Sequence, residues 1–311
     1  MSSTTLAVGP SRGLVRAMPW VFVLIWSTGF IVARYGMPHS PPLKFLSLRY
    51  ALSIVCFGAW VVLSRPRWPA TRAQFAHLAV VGALIHAGYL GGVWAAVKLG
   101  LGAGTIALLV GLQPVLTAVW MSVAARSGGG GAVSARQWLG LALGLFGLTL
   151  VVWHKLGGGE ITLANLSLAV FALLSITVGT LYQKRFVGPC DVRTANVVQL
   201  CAALVVSLPF ALLFETEAIA WQPQMIGALA WSVIALTLGG SSLLYMLIQR
   251  GAATEVTSLL YLVPPCTAVM AWLLFGETLG VPALVGMMLT AIGVALVVRP
   301  AASLDDVQRG A

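Results

Sequence analysis

The stretch Leu112-Gln-Pro-Val-Leu-Thr-Ala-Val119 returns 150 residues later as Leu262-Val-Pro-Pro-Cys-Thr-Ala-Val269, with Leu, Pro, Thr, Ala and Val in the same places. The same offset sets Gly29 over Gly179 and Arg34 over Lys184. At an offset of 146, Gly140 falls over Gly286, Gly147 over Gly293 and Leu150-Val-Val152 over Leu296-Val-Val298; the four-residue difference falls in the Gly-rich segment 127–131. Apolar helices of similar composition can align by chance. Matching Pro, Thr and paired Gly in register over three segment pairs weighs against that explanation.

Working outward from these segments, the chain breaks into apolar runs at about 18–36, 44–64, 74–98, 103–125, 136–154, 163–184, 194–214, 224–249, 254–275 and 281–299. Each approaches the ~20 residues that a helix needs to cross a bilayer. They are too long and too continuously apolar for barrel strands, which alternate outward and lumen-facing residues. Only 8% of the 311 residues are charged, 59% are hydrophobic and the mean hydropathy is +0.96. A soluble domain carries roughly 25% charged residues, so that class is excluded. The expected fold class is an all-α integral membrane protein of ten transmembrane helices. The 34 glycines suit membrane helices that approach closely at small residues.

The +10 net charge reads as a topology signal rather than a nucleic-acid surface, because the cations are scattered over short loops. With the N-terminus inside, Arg12, Arg16, Arg65, Arg67, Arg72, Arg126, Arg136, Lys184, Arg185, Arg193, Arg250, Arg299 and Arg309 fall on the cytoplasmic side. The other side holds Arg34, Lys44, Lys98 and Lys155. Lys and Arg are retained in the cytoplasm, so both termini are expected there, in a bacterial inner (cytoplasmic) membrane. Arg12 and Arg16 ahead of an apolar run also resemble a signal peptide; the counterpart of this run in the second half predicts that it is retained.

Each copy of the repeat holds five spans. An odd number forces the second copy into the membrane in the opposite sense, giving a 5+5 inverted-topology repeat, a hallmark of secondary transporters. The expected organisation is a cytoplasmic tail over 1–17, a first repeat over 18–155, a second over 156–300 and a cytoplasmic tail over 301–311. Cys56, Cys190, Cys201 and Cys266 have no paired spacing, so neither a disulfide framework nor a metal site is expected. No phosphate loop, His-Glu-x-x-His or catalytic triad spacing occurs. An enzyme is therefore not expected, nor a cofactor, nor a nucleic-acid partner.

The stretch Ala252-Ala-Thr-Glu-Val-Thr-Ser-Leu-Leu-Tyr-Leu-Val-Pro-Pro-Cys-Thr-Ala-Val-Met-Ala-Trp-Leu-Leu-Phe-Gly-Glu-Thr-Leu279, running on to Gly286 and Gly293, resembles the drug/metabolite transporter superfamily in its ten-span EamA-type branch. Trp26-Ser-Thr-Gly-Phe30 and Arg49 also look like that family's first half. The resemblance covers about 18–299. One departure is that the first-half counterpart of Gly276-Glu277 is Arg126-Ser127. Within the superfamily the chain is similar to bacterial amino-acid exporters associated with aromatic amino acids. The resemblance implies that spans 1, 3, 4, 6, 8 and 9 line the path and that span 2 lies away from it.

Polar groups deep in hydrocarbon usually face a cavity or a partner. His86 in span 3 reads either as a packed histidine bonded to a neighbouring helix or as a group that binds a substrate carboxylate or changes protonation near neutral pH. Tyr89 and Trp94 lie within 100–110° of it at ~100° per residue and would flank the same lumen. Gln113 precedes Pro114, which opens the local hydrogen-bond ladder; a structural kink explains the proline equally well. In span 8, Ser241, Ser242, Tyr245 and Gln249 form one polar stripe, although Ser often only bonds a neighbouring helix. Tyr261 precedes Pro264 and Pro265 as Gln113 precedes Pro114. Pro114 and Pro264 are the candidate flexible points. Tyr182 and Gln183 are weaker candidates, and Trp20, Trp138, Trp153 and Trp221 read as interfacial anchors.

Arg49 lies about 9 Å from the outer end of span 2 at ~1.5 Å per residue. A structural role is expected, snorkelling outward or meeting carbonyls at the outer mouth. Glu277 is expected to be a structural residue at a helix end. No Asp or Glu occupies the middle of a span, so proton coupling would fall to His86, and movement down a gradient is the simpler mechanism. The expected activity is alternating-access transport of small metabolites, most readily amino-acid export. The alternatives are a drug-like or other cargo with proton coupling, or an intramembrane enzyme or scaffold. The lipid bilayer and a small-molecule substrate are the expected partners. A homodimer through Gly140-x-x-x-Gly144 is possible beside a monomer, with packing inside the bundle the favoured use of that motif.

Overall fold

The computed structural model describes residues 12–117, 119–120, 135–156, 160–249, 262–277 and 280–298. The apolar runs become helices bounded by residues suited to helix ends. They are α1 (Arg12–Gly36), α2 (Pro42–Ser64), α3 (Arg72–Lys98), α4 (Ala103–Val110), α5 (Ala135–Leu156), α6 (Leu163–Phe186), α7 (Val192–Phe214), α8 (Pro223–Trp231, continued by Ser232–Gly240 and Ser241–Gln249), α9 (Val263–Phe275) and α10 (Val281–Val298). No strand occurs among the described residues. Helix starts follow capping chemistry: the Thr71 hydroxyl accepts from Gln74 N, Thr162 and Asn165 cap each other's backbone reciprocally, and Asp191 accepts from Arg193 N. Each satisfies N–H groups that the first helical turn leaves without an intrahelical partner.

Among the described residues, six helices are long and apolar enough to cross a membrane: α1, α2, α3, α6, α7 and α8. The remaining apolar helical segments are shorter, at Ala103–Thr117, Trp138–Val151, Val263–Phe275 and Val281–Gly293. The outward surface is apolar, with Val205, Leu212, Leu213 and Phe214 of α7 all more than 70% exposed. An outward face this greasy belongs in lipid rather than water. Inside lie Phe45, Tyr50, Phe57 and Trp94, each at most 1% exposed.

Two irregularities decide where polar atoms point. α3 and α8 each pass through a π-helical stretch, Gly82–Leu90 and Ser232–Gly240, at positions 150 residues apart. In the second stretch the Thr237 hydroxyl donates to the carbonyl of Ser232, five residues back. In the first, the backbone of α3 lies against α7 so closely that a Cβ on Gly82 would fall on the backbone of Gln199. α4 is interrupted in its turn: after Val110 the chain turns at Gly111-Leu112 and resumes helix at Gln113. Pro114 has no N–H to give the carbonyl four residues back, so the helix that begins at Ala103 is broken at Gly111-Leu112. Residues 121–134 and 250–261, which contain the ends of the fourth expected span and the start of the ninth, lie outside the described residues.

The helices pair as α5 with α10, α2 with α7 and α4 with α9. α3 packs on α6 and α7, while α8 packs on α1 and α2, the same arrangement with the halves exchanged. The glycines aligned between the two halves meet in a crossed form. Gly147 faces Gly286, whereas Gly293 faces Gly140 and Gly144. Thus Gly140-x-x-x-Gly144 is used against α10 of the same chain.

At one end of the bundle, second-half carboxylates hold first-half helix starts. Glu215 accepts from Leu43 N and Lys44 N at 2.7 and 2.8 Å, and Glu277 from Ala103 N and Gly104 N at 2.8 and 3.2 Å. The positive end of a helix dipole favours an anion there. Lys98 pairs with Glu217 at 3.0 Å, and Glu160 accepts from Gly102 N at 3.1 Å. The opposite end is joined by His77 to Tyr182 (2.8 Å) and by Thr194 to the Arg67 carbonyl (3.2 Å).

Candidate functional site

Two adjoining cavities lie between the halves, of about 130 and 110 Å³. A cavity near this size admits a benzene-sized group. They share Trp26, Phe30, Tyr89 and Ile176 as a common wall. α1 is held in place for this by the Thr267 hydroxyl donating to the Ser27 carbonyl (3.1 Å) and by Trp231 Nε1 donating to Thr28 (2.9 Å). Trp26 therefore projects from a helix fixed on two sides.

The larger cavity lies at the broken turn of α4 and the start of α9. Gly111, Gln113, Pro114, Pro264, Pro265 and Thr290 contribute to it. Gly111 is needed for the close crossing there, because a Cβ would sit 2.8 Å from Pro264 Cγ. Gln113 Nε2 donates to the Thr180 hydroxyl of α6 at 3.0 Å, which orients its carbonyl oxygen. Both candidate flexible prolines thus line one cavity, on facing helices.

The smaller cavity is lined by Arg49, His86, Tyr89, Trp94, Thr237 and Ser241 with the shared wall. The His86 side chain lines this cavity, and its backbone carbonyl accepts from the Tyr50 hydroxyl at 2.7 Å. It is thus tied to α2 through its backbone while its side chain faces the cavity. Trp94 is 1% exposed and stacks on Phe45 with ring centroids 4.4 Å apart, so most of it is core and only an edge reaches the cavity.

His86, Tyr89, Trp94 and Ser241 are thus brought together, with Gln113 and the two prolines in the adjoining space. Ser242 is not; its hydroxyl donates to the Leu238 carbonyl four residues back at 2.6 Å. The side chain of Tyr245 and the whole of Tyr261 lie outside the described residues. Tyr182 and its neighbour Phe186 sit at the far end of α6 against His77. Trp20, Trp138, Trp153 and Trp221 are each at least half exposed, as interfacial anchors would be.

Arg49 departs from expectation. It neither snorkels nor meets carbonyls at a mouth. It is 8% exposed, lines the smaller cavity, and donates from Nε to the Thr237 hydroxyl at 3.2 Å. α2 turns this residue inward because it is wedged between α7 and the π-helical stretch of α8. Glu277, by contrast, is the helix-end residue its position indicates.

A profile of the EamA-like transporter family matches the chain twice, over 18–153 and 163–299. The chain belongs to this family. As an EamA protein with several apolar spans it is a multi-pass membrane protein, and a transporter by family. It is 27% identical over 281 residues to a protein of Salmonella typhimurium named "Probable amino-acid metabolite efflux pump", covering 87% of this chain and 90% of that one. The Escherichia coli protein of the same name is 24% identical, covering 83% and 85%. An "Uncharacterized inner membrane transporter YedA" of Escherichia coli is 25% identical, covering 82% and 81%. A crystal structure shares the fold with a TM-score of 0.60 at 15% identity, covering 92% of this chain and 98% of that one.

Proposed function

We propose that this EamA protein exports amino acids, aromatic ones among them, across a bacterial inner membrane by alternating access and without an ion partner. The observation that carries the reading is the aromatic wall of Trp26, Phe30 and Tyr89 between two cavities that also present His86, Gln113 and Ser241. Such a lining offers apolar contact to a side chain and hydrogen bonds to a polar head. The names borne by two relatives agree with it.

In this reading the chain crosses the membrane ten times, as two five-helix repeats of opposite orientation over 18–155 and 156–300, with both termini in the cytoplasm. The excess of Lys and Arg in the alternate loops supports the orientation. The end held by Glu215, Glu217 and Glu277 then faces outward and is closed. Pro114 and Pro264 supply the points at which α4 and α9 move. No carboxylate lines either cavity among the described residues, which favours movement down a gradient over proton relay.

The test is efflux from proteoliposomes preloaded with radiolabelled amino acids, with and without a pH gradient. Release of a subset of amino acids at equal rates in both conditions is expected. Release only with the gradient overturns the uncoupled mechanism, and no release of any amino acid from folded protein overturns the substrate class.

A further inference from the structure

Among the described residues, the smaller cavity contains a cation without a counter-ion. Arg49 is more than nine-tenths buried, and neither the Lys98–Glu217 nor the Arg193–Asp191 ion pair reaches it. Its hydrogen bond among the described residues runs from Nε to Thr237. Thr237 is in turn fixed, because its own proton goes to the Ser232 carbonyl at 2.8 Å, which leaves a lone pair for Arg49. The guanidinium is therefore held at one nitrogen, and no hydrogen bond among the described residues takes up its two Nη groups.

The other polar groups nearby do not supply the missing charge. Tyr50 donates to the His86 carbonyl, and an imidazole supplies no negative charge. Tyr89 and Ser241 are neutral, and the rest of the lining is Trp26, Phe30, Trp94 and aliphatic side chains. A charge removed from water and left unpaired costs several kcal/mol. A planar fork with two free Nη groups matches the two oxygens of a carboxylate.

We propose that Arg49 is the anion-recognition residue of the transport cavity. The substrate's carboxylate docks on the two Nη groups, and its apolar body crosses the Trp26–Phe30–Tyr89 wall into the cavity beside Gln113 and Pro114. Thr237 is a positioning residue that aims the fork. The inference rests on the reading of these cavities as the substrate path. It makes the carboxylate, rather than the amine, the head group that the site requires.

Equilibrium binding of tritiated L-phenylalanine and tritiated 3-phenylpropionate to the purified full chain tests it, with L-phenylalaninamide as competitor. The first probe carries both head groups, the second only the carboxylate and the competitor only the amine. Both probes are expected to bind, and the amide to displace neither. R49Q is expected to weaken both by about 30-fold or more, R49K to recover part of that loss, and T237V to weaken both less than R49Q does. Phenylalanine binding that R49Q leaves unchanged, or that the amide displaces as well as unlabelled phenylalanine does, overturns the inference while the amino-acid reading stands. Arg49-dependent binding of phenylpropionate without any binding of phenylalanine overturns the amino-acid reading and supports the inference. Binding of neither probe overturns both. The competitor arm uses wild-type protein, so it decides the question even if R49Q does not fold.

Discussion

Gly147 of α5 and Gly286 of α10 meet backbone to backbone. A Cβ built on Gly286 would come within 2.5 Å of both the Gly147 carbonyl oxygen and Val151 Cγ2. Gly293 makes the corresponding approach to Gly140 and Gly144. The earlier glycine of one helix therefore faces the later glycine of the other, which is the contact pattern of two elements related by a local two-fold axis. α5 and α10 are joined along this seam by shape rather than polarity, since association between helices in lipid depends on close packing.

Gly286→Val should accordingly separate α5 from α10. An overpacked contact of this kind costs about 1–3 kcal/mol, read as a lower thermal midpoint of the purified protein. Gly227 of α8 has nothing within 4 Å of a built Cβ, so Gly227→Ala should raise the midpoint slightly through helix propensity. A midpoint for Gly286→Val equal to wild type would show that the seam yields.

Glu277 accepts from two N–H groups at the start of α4. Glu277→Ala should remove about 1 kcal/mol of capping and loosen the end at which the halves are clasped. Ala107 of α4 lines the larger cavity and is 1% exposed; with the four native cysteines replaced by alanine, Ala107→Cys should react faster with a membrane-impermeant maleimide when Glu277 is also replaced. An unchanged labelling rate would count against the clasp.

Tyr89 borders both cavities. Tyr89→Ala removes apolar contact of about 1.5–3 kcal/mol and should reduce flux of an aromatic substrate roughly tenfold or more. His86→Ala should also reduce flux at unchanged membrane levels. Ser242→Ala should leave flux as it is, because that hydroxyl serves the Leu238 carbonyl. Equal losses in all three variants would mean that the cavity is not the path.

Asp191 caps α7 and pairs with Arg193, Oδ2 to Nη2 at 2.7 Å. The hydrogen bond from Arg193 is the main cause holding its carboxyl below the usual range. A depressed folded-state value means that the stabilisation is present above the unfolded value of about 3.9 and is lost as pH falls through the folded one. Asp191→Ala should lower the thermal midpoint at pH 7, and the gap from wild type should close as the pH is taken below about 4. A gap that persists in acid would assign the effect to packing.

Glu277 and the five seam glycines are legible in the sequence because each signal is local: a Gly-Glu at a helix end, small residues at regular spacing. Arg49 was misplaced for a physical reason. α2 is apolar on every side, so periodicity does not say which side of it faces lipid, and lipid and protein interior favour the same residue types. Ser242 shares a stripe with Ser241, yet a hydroxyl can bond its own helix, and spacing does not distinguish that from a cavity position. The π-helical stretches had no residue signal, and a step of ~100° per residue does not hold across Gly82–Leu90 even though His86 and Tyr89 still share a cavity. Trp94 borders the smaller cavity, but the stacking that makes it mostly core depends on Phe45 of another helix, which its own spacing does not indicate.

The π-helical stretches also separate backbone geometry from side-chain identity. Gly82–Leu90 reads GALIHAGYL and Ser232–Gly240 reads SVIALTLGG, with no identical residue at any of the paired positions. The backbone irregularity nevertheless occupies the same place in both halves. No single residue type dictates it. One wide turn presents His86 to the smaller cavity and the other presents Thr237, so the same scaffold can hold unlike polar groups at one lumen.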